Sequence, residues 1–73
     1  MTSGIENLPK RFGDKVRSER AKAGLSQEQL AFKTGLDRTY ISGIERGRRN
    51  PSLKNIGKLA RAFRKSPRDL MDI

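Results

Sequence analysis

The sequence predicts an all-α protein, a compact bundle of five short helices, on three observations. Helix start and stop signals recur in order along all 73 residues, apolar residues fall at spacings of three and four between them, and no segment alternates as a half-buried strand would. A chain of this length folds as one domain around one core, with little room for a deep enzymatic pocket.

Residues 1–8 lack periodicity and read as a flexible N-terminal tail, from which Ile5 and Leu8 can fold back on a single domain spanning 9–73. The first helix is expected over about 9–23, with Pro9 in a first-turn position and Gly24 as left-handed cap. Phe12, Val16, Arg20 and Ala23 share one face, and an arginine among apolar residues needs a partner. Ser26 and Gln29 form an S-x-x-Q capping box that starts a second helix, 27–34, which Gly35 stops. Asp37 is the expected N-cap of a third, 38–46, closed by Gly47. Only Gly35, Leu36 and Asp37 separate these two helices, the short turn of a helix-turn-helix. Ser52 caps a fourth helix, 53–64, with Leu53, Ile56, Leu59, Ala60 and Phe63 as its apolar stripe. Ser66, Pro67 and Asp69 start a last helix, 67–72.

Charge narrows the function. Seventeen Lys and Arg against eight Asp and Glu leave a net charge of +9, which draws polyanions and makes their binding salt-sensitive. Membrane binding would need a basic helix with a broad apolar face, and the sparse apolar residues are all needed for the core. With no Cys and no His, disulfides, thiolate or imidazole metal sites and imidazole-based nucleophile schemes are excluded, and no phosphate-binding glycine loop occurs. No enzyme, no cofactor, no metal and no small-molecule ligand is therefore expected. The start MTSGIENLPKRF lacks an apolar signal region and no run matches a membrane span, which implies the cytoplasm and its nucleoid.

From SQEQLA through GLD and YISGIERG to the Pro-Ser helix start, the chain resembles the lambda-repressor-like (XRE) helix-turn-helix family over roughly residues 10–71. Within it, LDRTYISGIERGRRNPS looks most like the small controller proteins of restriction-modification systems. The resemblance implies a lambda-repressor-like five-helix fold and a dimeric regulator of its own gene and the endonuclease gene, with double-stranded DNA as partner. Phage-type repressors and antitoxin modules, whose main partner is another protein, share similar motifs and are the alternative. Activation would add RNA polymerase as a partner, and the sequence singles out no patch for it.

A recognition helix presents its N-terminal residues to the major groove, so Arg38, Thr39, Tyr40 and Ser42 are the expected base readers. Tyr40 can instead be a partly buried aromatic and Thr39 a second cap. Gly43 is expected to leave space beside the groove. Gln27, at a helix N-terminus that favours anions, is the expected phosphate clamp, a position that touches the backbone in the resembling family. Arg46, Arg48, Arg49 and Asn50 flank the groove as further phosphate contacts. The resemblance also implies a partly buried ion pair of Arg20 with Glu45, with phosphate binding as the rival role for Arg20. One domain reads too few base pairs for an operator, so a homodimer on a palindrome is expected, with recognition helices about 34 Å apart. Leu70, Met71 and Ile73, apolar at a chain end, are the expected dimer interface, although they can also close the monomer core.

Overall fold

The computed structural model describes residues 6–73; Ile5 and the tail before it lie outside the described residues. Five helices follow one another: α1 (Leu8–Lys22), α2 (Gln27–Thr34), α3 (Arg38–Glu45), α4 (Leu53–Ala62) and α5 (Pro67–Leu70), with no strand among the described residues. The first helix thus takes in Leu8, one residue of the expected tail. Local chemistry accounts for most boundaries. Ser26 accepts from the Gln29 amide at 3.0 Å while Gln29 Oε1 accepts from the Ser26 amide at 2.7 Å, the reciprocal pair that starts α2. Ser52 and Ser66 each accept from the amide three residues on, both at 3.1 Å.

Two ends differ from expectation. Asp37 has the extended backbone of an N-cap but makes no side-chain cap bond. The turn is tied instead by Thr34, whose buried hydroxyl donates to the Leu30 carbonyl at 2.8 Å and accepts from the Leu36 amide at 3.2 Å. At the other end α4 stops at Ala62, because Arg64 turns left-handed with φ 58° and cannot continue the helix.

The core joins Phe12 and Val16 of α1, Leu30 of α2, Ile41 and Ile44 of α3, Ile56, Leu59 and Ala60 of α4, and Leu70 of α5. Leu53 does not join it. It is 78% exposed, because side chains lean toward the helix N-terminus and those of the first turn point beyond the packed part. On α1, Ala23 is exposed and Glu19 is buried, so the inward face runs Phe12, Val16, Glu19 at helical spacing. The ammoniums of Lys15, Lys22 and Lys65 lie 3.7, 3.8 and 3.9 Å from the Glu19 carboxylate.

Among the described glycines the tightest surroundings are at Gly13, inside α1. A Cβ built there would lie 2.2 Å from the Ile44 carbonyl oxygen and 2.8 Å from that of Glu45. Glycine therefore lets α1 lie directly against the C-terminal turn of α3, and α1 becomes the backing of that helix.

Candidate nucleic-acid interface

Four side chains of α3 and its C-terminal cap face outward: Arg38, Thr39 and Arg46 are exposed and Ser42 is half-buried. At about 100° per residue they occupy one arc of roughly 100° on the helix surface. Ile41 and Ile44 lie away from it, Glu45 lies beside its edge, and all three are fully enclosed. The exposed arc offers one guanidinium at each end and two hydroxyls between, groups that can bond base edges or phosphate oxygens.

One side of this arc is held by an ion-pair network. Arg20 Nε donates to Glu45 Oε2 at 2.6 Å and Nη2 to Oε1 at 3.0 Å, a bidentate pair, while Nη1 donates to the Leu25 carbonyl at 2.9 Å. Glu45 is wholly buried and the Arg20 side chain 19% exposed. This bond to Glu45 raises the Arg20 pKa above the ordinary arginine value, more than burial lowers it. Stability linked to a raised pKa is present below the unfolded value and lost only as pH climbs through the folded one, so here it persists across the whole neutral range. Gln27 Nε2 also donates to Glu45 Oε1, at 3.1 Å, and Arg17 Nε lies 3.8 Å from the same oxygen. Gln27 is thus part of the network, half-buried, with its second amide proton still to give.

The other side is a wall built from Tyr40 and Arg49. Tyr40 lies off the exposed arc: it is half-buried against the core, and its hydroxyl accepts from Asn55 Nδ2 at 3.0 Å. The Arg49 guanidinium carbon stands 5.7 Å from the Tyr40 ring centroid, within cation–π range. Gly43 does not hold space open for a ligand. It is buried, and a Cβ there would meet Arg49 Cγ at 2.6 Å, so the vacancy is filled by the arginine stem. Arg48 and Asn50 are exposed in the same loop.

Sequence reasoning missed Asn55 and Gly13. Nothing local marks Asn55, whose partner is on another helix. Gly13 carried a signal, since a glycine inside an amphipathic helix is unfavourable and needs a packing reason.

The expected dimer surface is corrected at one position. Leu70 has no exposed surface and belongs to the monomer core, because a four-residue α5 has a single inward position and Leu70 occupies it. Met71 is 46% exposed, and Ile73 half-buried. They border an open apolar groove of about 220 Å³, with Leu8, Pro9, Phe12, Asn50, Pro51 and Ile56 as its other walls. The Ile73 carbonyl accepts from Arg11, which fastens the chain end to α1.

Two short helices joined by a three-residue turn, the second with an outward polar arc and basic flanks, define a DNA-binding helix-turn-helix domain. The chain belongs to the helix-turn-helix family, whose model matches residues 16–70. Within it, the chain is 53% identical over 73 residues to control protein C.BamHI of Bacillus amyloliquefaciens, covering 99% of this chain and 86% of that one. Its fold matches the restriction-modification controller protein C.AhdI from Aeromonas hydrophila with a TM-score of 0.83 at 55% identity, over 85% of this chain and 94% of that one. SinR, a master regulator for biofilm formation solved in complex with DNA, matches with a TM-score of 0.80 at 32% identity, over 84% and 98% of the two chains. The protein is a DNA-binding transcription regulator of the XRE type. No helix among the described residues is long and apolar enough to cross a membrane.

Proposed function

We propose that two copies of the chain bind a palindromic operator and regulate the protein's own gene together with a restriction-modification gene. The observation that carries this is the outward arc of α3, rigidly backed by α1 and bordered by cations. Arg38, Thr39 and Ser42 read bases, with the Tyr40 hydroxyl reaching them from the wall. Gln27, Arg46, Arg48, Arg49 and Asn50 hold phosphates on the two sides. The control proteins among its relatives support the gene context. Met71 and Ile73 supply the pairing contact, over the enclosed Leu70, and set the two arcs one helical turn apart. The work is binding, not catalysis, carried out in the cytoplasm on the nucleoid.

Selection from a random duplex pool followed by salt-dependent binding tests this reading. Arg38→Ala should reduce the preference for the selected sequence by about 1 to 3 kcal/mol, whereas Arg48→Ala should weaken all sequences alike. A selected sequence still fully preferred by Arg38→Ala removes Arg38 from base reading. Sedimentation of Met71→Asp/Ile73→Asp tests the pairing, and a dimer that persists refutes it. Footprinting upstream of the protein's own gene tests the gene context.

A further inference from the structure

The cations divide by partner. Lys10 pairs with Asp14, three lysines surround Glu19, and Arg17 and Arg20 face Glu45. Lys33, Lys58, Arg61 and Arg64 are among the cations without such a partner, and they are gathered in one place. With Thr34 and Ala62 they line an open cleft of about 440 Å³ between the C-terminal ends of α2 and α4. Among the described residues none of these four side chains has a hydrogen-bond or ion-pair partner, and no carboxylate lines the cleft. Four like charges gathered without a counterion repel one another and work against the fold.

A second observation concerns the backbone at the rim. The chain leaves α1, α2 and α3 through Gly24, Gly35 and Gly47, at φ 70°, 72° and 74°, but leaves α4 through Arg64 at φ 58°. Glycine adopts this left-handed conformation freely and arginine does not. The strain is retained where it places a guanidinium at the mouth of the cleft.

We propose that the cleft binds the phosphodiester backbone flanking the sequence read by α3, on the same duplex. Two guanidinium forks and two ammoniums suit adjacent phosphates, the forks bidentately. Reach also fits. Lys33 stands five residues before Arg38, so their Cα atoms are at most about 18 Å apart. With Arg38 at a major groove roughly 12 Å wide, the bordering backbone lies within range of a lysine or arginine side chain. The inference rests on α3 as the recognition helix.

The test compares Lys58→Gln/Arg61→Gln with a control of equal charge loss, Lys22→Gln/Arg68→Gln, both checked for native circular dichroism. Binding is measured across salt on two duplexes: the selected sequence with about 12 base pairs of flank on each side, and the same sequence trimmed to its ends. On the flanked duplex the cleft variant should show a shallower salt slope, by about one per cation removed, and bind about tenfold or more weakly at low salt. On the trimmed duplex the two variants should agree within about twofold. Equal slopes for both variants on the flanked duplex, or equal extra losses on both duplexes, overturn the assignment. So does bridging of two trimmed duplexes by the wild type that the cleft variant abolishes, which would give the cleft to a second duplex. Arg64→Gly should melt at a higher temperature yet bind the flanked duplex more weakly; a gain in stability without loss of affinity removes Arg64 from the site. If the pool yields no preferred sequence, operator reading by α3 fails. The cleft is then judged on a long mixed-sequence duplex, where equal slopes for the cleft and control variants overturn it.

Discussion

Replacing Gly13 by alanine should lower the melting temperature, although alanine is the better helix former. On propensity alone the change stabilises an interior helical position by about 0.8–1.0 kcal/mol. The new Cβ, however, would lie 2.2 Å from the Ile44 carbonyl oxygen and 2.9 Å from the Glu45 carbonyl carbon. Ordinary contact begins near 3.5 Å, so α1 and α3 would have to part by roughly 1 Å. Both neighbours are backbone and cannot rotate away. Overpacking of this kind costs about 1–3 kcal/mol, and the separation also stretches the bidentate Arg20–Glu45 pair, which bridges the same two helices. The unfavourable terms win by about 1 kcal/mol, equivalent to a melting temperature lower by roughly 4–8 °C for a domain of this size. Gly57, inside α4, provides the control: a Cβ there meets nothing within 4 Å. Gly57→Ala should therefore raise the midpoint by about 4–8 °C, the value of the propensity gain. Thermal unfolding followed by circular dichroism reads both. If Gly13→Ala melts as high as the wild type, the two helices have slack at their crossing and glycine is not required there.

Arg20→Met leaves the fully buried Glu45 without its main partner and should cost on the order of 3 kcal/mol, more than Glu45→Gln, after which Arg20 can turn to solvent. Denaturant midpoints check this, and unchanged values for both variants would refute the pairing as a stability element. Gly43→Ala contrasts with Gly13→Ala because its neighbour is a flexible side chain: stability should hold or rise by up to about 1 kcal/mol, while displacement of Arg49 from the Tyr40 ring weakens DNA binding. Wild-type affinity in the Gly43→Ala variant would show that the placement of Arg49 is irrelevant. Asn55→Ala and Tyr40→Phe remove the same hydrogen bond, so a double-mutant cycle on stability should give a coupling of about 1 kcal/mol, and additive losses would rule the bond out.

Most of the helix pattern was legible because its signals are local. A serine three residues before an amide, or a glycine at a left-handed position, acts within one turn whatever the rest of the chain does. What escaped depends on another element. Gly43 is emptied for Arg49 and Tyr40 is held by Asn55, pairings set by where the loop after α3 lays the chain. The one-turn α5 has a single inward position, so Leu70 went to the core and only its neighbours stayed accessible. Arg64 ended α4 two residues before the expected point because sequence rules look for glycine at that cap, and the position holds an arginine.

Glu45 joins three helices through one carboxylate. A buried ion pair is seldom better than well-packed apolar side chains, so stability alone gives little reason for Arg20 and Glu45 to join α1 to α3. Direction gives a better one. Apolar contacts tolerate sliding, whereas two parallel N–H···O bonds fix both the separation and the rotation of the helices they join. Glu45 lies one residue before Arg46 of the outward arc, and the oxygen that takes Arg20 Nη2 also takes the amide of Gln27, the first residue of α2. One carboxylate thereby sets the N-terminus of α2 and the end of α3 in a common frame. If Gln27 grips the backbone while Arg38 and Ser42 enter the groove, their relative positions must hold to within a hydrogen-bond length, and this network is what keeps them there.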